Sequence, residues 1–185
     1  MTRKGDTDLF FNYGVDFSNR IIYIGDDISP RTVGHAIKGL TQCLIASKKR
    51  INVIMNNCGG DEYEGLALYD FIKGHSKNVT ITVYGQAMSM ASWVLQAAER
   101  RFLAPNATLL LHYGSCGFEG TTKDMEKLGE EIKRVNELME DCYLERIHEV
   151  KPRFTRAQLQ DLIKYDKYLS AKEAIELGLA DGYIR

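Results

Sequence analysis

Proline is scarce in this sequence, with three in 185 residues, and tryptophan occurs once. So little proline excludes a collagenous, mucin-like or linker-rich chain. The four cysteines, Cys43, Cys58, Cys116 and Cys142, are widely spaced and form no C-x-x-C pair. Neither a disulfide frame nor a zinc site is expected; reduced thiols in a cytoplasmic setting fit. An excess of charge of one sign is lacking too, since 24 Lys+Arg stand against 25 Asp+Glu. Without a whole-molecule field to attract a polyanion, nucleic acid is not an expected partner. No run approaches the roughly 18 continuous apolar residues of a membrane span, and MTRKGDTDLFFNYG lacks the apolar core of a signal peptide, so no membrane association is expected. What is present, 44% hydrophobic and 26% charged residues, suits one compact domain on a prior of roughly 100–200 residues per domain.

Residues 1–19 show no sustained period and carry early charges, which reads as an arm that becomes ordered near Leu9–Phe11. From residue 20 a unit recurs. Arg20–Gly25 is a short apolar strand, and Ser29-Pro30 opens a helix with Val33, Ile37, Leu40, Leu44 and Ile45 at helical spacing. Ile51–Met55 is a strand of the buried type, Asn56–Asp61 a Gly-Gly loop, and Glu64–Lys73 a helix stopped at Gly74. Val79–Tyr84, Gly85 and a helix from about Met88 to Ala98 repeat the pattern. Such recurrence favours a largely parallel sheet in an α/β fold. Short strands at Arg101–Leu103 and Thr108–His112 follow, then a glycine-bearing stretch with Gly114, Gly117 and Gly120. From Thr122 to about Val150, Met125, Leu128, Ile132, Val135, Met139, Cys142 and Ile147 recur at three- and four-residue steps, giving a helix about 40 Å long. Two capping boxes, Thr155…Gln158 and Ser170…Glu173, open short helices, and Gly178 ends the second before a last strand near Gly182–Ile184.

Ser89, in ITVYGQAMSMASWVL, sits where an apolar strand passes into a helix. Free N–H groups at a helix start can stabilise an oxyanion beside the hydroxyl, and Gly85, Ala87 and Ala91 leave room for a substrate backbone. Taken alone, a serine there reads first as a helix N-cap. Of the four histidines, His112 stands apart because it ends the apolar run TLLLH, where active groups of α/β sheets gather. A structural strand-end histidine fits the same pattern. His35, His75 and His148 read as surface residues. Asp166 lies in a loop before the Ser170 cap, and could orient a base or simply be solvated. In Asn56-Asn57-Cys58-Gly59-Gly60 the paired glycines free backbone N–H groups for half an oxyanion hole, or make a tight turn; Cys58 is read as packing.

Taken in order, these segments resemble the ClpP family of serine peptidases from about Arg20 to Ile184. RIIYIGDDIS is similar to the family's opening strand, MNNCGG to its N-S-P-G-G loop, and EGLALYDFIK to the helix after it. GQAMSMAS is similar to the G-x-A-A-S-M nucleophile motif, FLAPNATLLLH to the stretch ending in the base, and DKYLSAKEAIELGLAD to the segment containing the acid. The resemblance implies a ClpP/crotonase-like stack of ββα units over residues 20–185, with Thr122–Val150 as a protruding handle helix. It implies Ser89 as nucleophile, His112 as base then acid, Asp166 as orienting carboxylate, and the backbone N–H groups of Gly60 and Met90 as oxyanion donors. Gly59, Gly114, Ser115 and Gly117 would bind the substrate strand, with Gly114–Gly120 itself lying as a strand along it. The implied protein is an ATP-dependent-type serine endopeptidase subunit needing no metal or organic cofactor. It would self-associate into two stacked rings of seven, act on peptides or unfolded proteins, and be served by an AAA+ unfoldase.

The sequence departs from the family at three places. Residues 1–19 offer no convincing match to the axial segment that answers to the unfoldase, Tyr113-Gly114 follows His112 where Gln-Pro is usual, and Lys164-Tyr165 precede Asp166 where an arginine commonly links the rings. Compact, divergent relatives of this kind occur in bacteriophages and cyanobacteria. A catalytically silent or regulatory ring subunit is the alternative, against which the complete Ser–His–Asp set argues. An acyl-CoA enzyme of the crotonase fold would need no serine or histidine at these positions.

Overall fold

The computed structural model describes residues 4–184. The segment before Arg20 is more structured than its composition suggests. Helix α1 covers Lys4–Tyr13, and Gly14, at φ 71°, turns the chain into strand β1, Val15–Asp16. Val15 enters the core at 4% exposure, while Phe11 on α1 is 82% exposed. The apolar residues of this helix do not all face the body, which is why no period could be read there. Residues 1–3 of the expected arm lie outside the described residues.

Strand β2, Ile21–Ile24, leads to helix α2, Pro30–Ala46, whose N-cap Ser29 accepts the Thr32 N–H while Pro30 fills the first turn without losing a bond. Arg20 donates to the main-chain carbonyls of Cys43, Ser47, Lys49 and Arg50, closing the far end of α2 onto the next strand. Strand β3, Ile51–Asn57, is followed by helix α3, Glu62–Gly74, and strand β4, Val79–Met88. β3 alternates, with Ile51, Val53, Met55 and Asn57 buried between more exposed residues, so only one of its faces is sealed. Helix α4 is short, Met90–Leu95, and precedes β5, Arg100–Leu103, and β6, Thr108–Leu111. Then come the long helix α5, Thr122–Val150, helix α6, Arg156–Leu162, strand β7, Lys167–Ser170, helix α7, Ala171–Glu176, and strand β8, Gly182–Tyr183. Both expected capping boxes form, with Gln158 and Glu173 closing back on Thr155 and Ser170.

The strands make one sheet in the order β1-β2-β3-β4-β5-β8, parallel from β2 onward, with β6 and β7 attached to the far half of β4. This is an α/β fold. β4 forks: Thr80–Val83 pair with β5, whereas Gln86–Met88 pair with β6. The fork coincides with a register shift against β3, where Met55 pairs Val83 but Asn57 pairs Ala87. Gly85 sits in that bulge at φ 76°, and a β-carbon there would be 2.7 Å from Asn56 Oδ1. The strand therefore runs through the glycine instead of stopping at Tyr84, and carries the chain to Ser89.

Only the second half of α5 is packed. Its buried residues begin at Val135 and Met125 is 58% exposed, so the first turns project from the body, and the Tyr63–Glu131 bond ties the helix to α3 just before the packed part begins. Residues 113–119 form no regular element and are mostly exposed. The strand expected at Gly114–Gly120 is one that lies along substrate, and among the described residues no strand of this chain pairs with it.

Candidate active site

Ser89 lies between β4 and α4 at φ 51° and ψ −127°, a conformation that residues with a β-carbon rarely adopt. It holds the N-cap position of α4, yet its hydroxyl makes no cap bond. The hydroxyl turns instead toward β6, where Nε2 of His112 lies 2.8 Å from Oγ. Two contacts fix the backbone: the Ser89 N–H donates to the Leu110 carbonyl at 2.9 Å, and the Ser89 carbonyl accepts the Ser92 N–H at 2.9 Å. The parallel pairing of Met88 with Leu110 is what brings the end of β4 beside the end of β6.

His112 follows the last residue of β6, held by the sheet behind and open ahead. On its other side β7 runs antiparallel to β6 with Leu111 opposite Lys167, so Asp166 comes up beside the imidazole. Asp166 Oδ1 is 3.5 Å from His112 Nδ1, and the Asp166 side chain is 60% exposed. The three side chains are brought together unequally, with a close Ser–His contact and a longer His–Asp one. The remaining histidines face elsewhere: His75 and His148 are exposed and meet the carbonyls of Phe71 and Phe154, and His35 packs edge-on against Tyr13.

The Gly-Gly loop borders the same place. Gly59 has φ 101°, and a β-carbon on it would stand 2.7 Å from Ser89 Cβ and 2.8 Å from the Met88 carbonyl, so only glycine lets the loop approach the serine this closely. On either side of Gly60, Ile28 donates to the Gly59 carbonyl and accepts from the Asp61 N–H, and the Asp61 side chain then caps α3. The buried Asn57 contributes a role that sequence reading missed. Its Oδ1 accepts the Gly59 N–H at 2.8 Å and its Nδ2 donates to the Asp26 carbonyl. An amide side chain two residues before a Gly-Gly pair is a signal for such a brace. Cys58 is exposed, contrary to its reading as packing, because its neighbours are held inward by Asn57 and Ile28. Its thiol donates to Asp27 at 3.0 Å, and that bond, with burial adding to it, pushes its pKa up, away from a reactive thiolate.

A cleft of about 470 Å³ opens over these groups, bordered by Gly60, Ser89, Met90, His112, Gly114 and Ser115. Trp93, Met139 and Tyr143, all nearly buried, supply an apolar wall. Gly59 lies behind Ser89 and Met90 and does not border the cleft, and Gly117 lies away from it in the exposed segment. An imidazole at this distance from a hydroxyl can take its proton, and a concave, partly apolar site can hold a side chain beside it. Among the described residues, no group of three or more His, Cys, Asp or Glu side chains is placed to hold a metal ion, and no helix is long and apolar enough to cross a membrane.

The profile of the family described as Clp protease matches residues 5–185. The chain belongs to the Clp protease family. The match begins within α1, ahead of the stretch in which sequence resemblance was visible. The ATP-dependent Clp protease proteolytic subunit of Deinococcus radiodurans is 31% identical over 171 residues, which cover 90% of this chain and 80% of that protein. The ATP-dependent Clp protease proteolytic subunit 6, chloroplastic, of Arabidopsis thaliana is 32% identical over 190 residues, covering 100% of this chain and 66% of that protein. Clp protease membership accords with the mixed α/β sheet and the long helix described above.

Proposed function

We propose that this chain is the proteolytic subunit of a compartmentalised serine endopeptidase that cleaves peptides and unfolded proteins through an acyl-enzyme on Ser89. The observation that carries the reading is the 2.8 Å contact between Ser89 Oγ and His112 Nε2 in a cleft, made by a serine that forgoes the cap bond its position offers. With the neutral imidazole carrying its proton on Nδ1, Nε2 accepts the Ser89 proton as Oγ attacks the scissile carbonyl. Asp166 accepts from Nδ1 and stabilises the imidazolium. The N–H groups of Gly60 and Met90, both bordering the cleft, are the donors for the tetrahedral oxyanion. His112 then protonates the leaving amine, and a water, deprotonated by the same imidazole, hydrolyses the ester and restores Ser89. Met90 opens a helix of only six residues, so its local N–H matters more than any macrodipole.

Gly114 and Ser115 line the binding groove for the substrate strand, with Gly59 permitting the close approach behind it. A chain of 21.0 kDa cannot itself enclose a chamber, so rings, two stacked heptamers on the family pattern, would confine the site in the cytoplasm. Substrate would be fed by an AAA+ unfoldase. The names of the two relatives support an ATP-dependent partner.

The test is a fluorophosphonate probe together with a short fluorogenic peptide, applied to the assembled protein and to Ser89→Ala. Labelling and turnover in the wild type, both lost in the variant, are expected. Equal behaviour of the two would instead leave a non-catalytic ring subunit.

A further inference from the structure

We propose that helix α5 sets the Ser89–His112 separation through two hydrogen-bonded pins one helical turn apart, Glu140 to Tyr113 and Tyr143 to Ser92, making Tyr113, Glu140 and Tyr143 positioning residues. This rests on reading Ser89 as nucleophile and His112 as base.

The first pin holds the base. Tyr113 is joined directly to His112, and beyond it residues 114–119 have no regular structure, so nothing in the ladder prevents the end of β6 from fraying. The Tyr113 hydroxyl donates to Glu140 Oε1 at 2.6 Å. Glu140 is 4% exposed and is itself fixed from α6, where Arg156 donates to Oε2 at 2.5 Å and Gln160 to both oxygens at 3.2 Å. Burial alone would raise the Glu140 pKa, but the bonds from Tyr113, Arg156 and Gln160 outweigh it and hold the group ionised. Burial and the bond to Glu140 push Tyr113 up to about 12, so it remains a donor. A hydroxyl on a buried carboxylate is a short, strong tether.

The second pin holds the nucleophile. Ser92, fully buried, has its Oγ 2.7 Å from the Ser89 carbonyl and 2.7 Å from the Tyr143 hydroxyl. Its single proton is committed to the carbonyl, so Tyr143 is the donor in the other bond. The carbonyl of the strained residue is thereby clamped by a relay that starts on α5. Glu140 and Tyr143, at i and i+3, share one face of that helix. The two halves of the dyad are thus referred to a single rigid element. The 3.5 Å approach of the exposed Asp166 leaves the base loosely held from its other side, which gives the Tyr113 tether more to do.

The same helix supplies a control. Tyr63 donates to Glu131 at 2.9 Å, a bond of the same kind to α5 that touches neither β6 nor the Ser89 turn. Full-length Tyr113→Phe, Tyr143→Phe and Tyr63→Phe are compared with wild type for kcat and KM on the fluorogenic peptide, for the second-order rate of fluorophosphonate labelling, and for thermal midpoint. Tyr113→Phe and Tyr143→Phe are each expected to lower kcat and the labelling rate about tenfold with KM within about twofold, while Tyr63→Phe keeps wild-type values. A wild-type rate in either folded pin variant, or the same slowing in Tyr63→Phe, overturns the proposal. The pins are tested separately, so a variant that fails to fold leaves the other to decide. An unlabelled wild type would defeat the peptidase reading; a labelled wild type with equally reactive pin variants would defeat only this inference.

Discussion

Leu111 and Lys167 face one another on the last rung of the β6–β7 ladder, and one step beyond that rung stand His112 and Asp166. The antiparallel register thus aims a carboxylate at the imidazole across 54 residues of chain. It does so without closing the contact, for the approach is 3.5 Å and Asp166 is largely in solvent. A solvated carboxylate stabilises an imidazolium less than a buried one, since water screens the charge and competes for the hydrogen bond.

Asp166 is accordingly expected to matter less than its partners. Asp166→Ala should lower kcat by less than the roughly 10⁴-fold lost with a buried triad acid, against roughly 10⁶-fold for Ser89→Ala or His112→Ala, in steady-state assays on the peptide. Loss of equal size at all three positions would mean that the acid closes on the base in the working state.

Gly59→Ala tests the close approach of the loop. The added carbon would meet Ser89 Cβ and the Met88 carbonyl inside 3 Å, on a residue at φ 101°. A destabilisation of about 1–3 kcal/mol in urea unfolding should accompany loss of most probe labelling. A variant with wild-type labelling would show that the loop can withdraw without moving the serine.

Glu140 links stability to pH with a definite sign. Its folded pKa lies below the ordinary 4.5 because three donors outweigh the cost of burial. The resulting stabilisation is complete above the unfolded value and is lost as pH falls through the lowered folded value. The gap in thermal midpoint between wild type and Glu140→Gln should therefore be widest above about pH 5 and narrow steadily as the solution is acidified to pH 3. A gap independent of pH would contradict this.

Arg101 makes a fourth test, remote from the cleft. It is 2% exposed and bound to Asp181 at 2.6 Å, to Gln96 Oε1 at 2.8 Å and to the Gly178 carbonyl at 3.2 Å. Asp181→Asn leaves a buried guanidinium without its nearest counter-charge and should cost about 3 kcal/mol in urea unfolding. The peptide KM should be unaltered in the protein that remains folded.

Much of this was legible before any tertiary contact was known, because it is governed by local rules. The helix at Thr122–Val150 followed from its three- and four-residue apolar spacing, the starts of α2, α6 and α7 from their capping side chains, and the parallel order from recurring strand and helix units. Ser89 and His112 could be singled out for where they sit, one at a strand-to-helix passage and the other at a strand end. Strand β7 was missed because KYLS buries little besides Leu169, which leaves no alternation to read. The helix α1 was missed because its aromatic residues do not all face the body.

The meeting of the functional groups belongs to the tertiary structure. Ser89 reaches His112 because Met88 pairs with Leu110 beyond a bulge, and Asp166 reaches it because Leu111 pairs with Lys167. Register between strands so far apart in the chain is decided by which faces can be buried together, a property of the whole sheet. The same is true of Glu140 and Tyr143. Their spacing marks one face of a helix, but only the packing of α5 against α4 and the reach of Tyr113 to Glu140 give that face the residue after the base and the turn that carries the nucleophile.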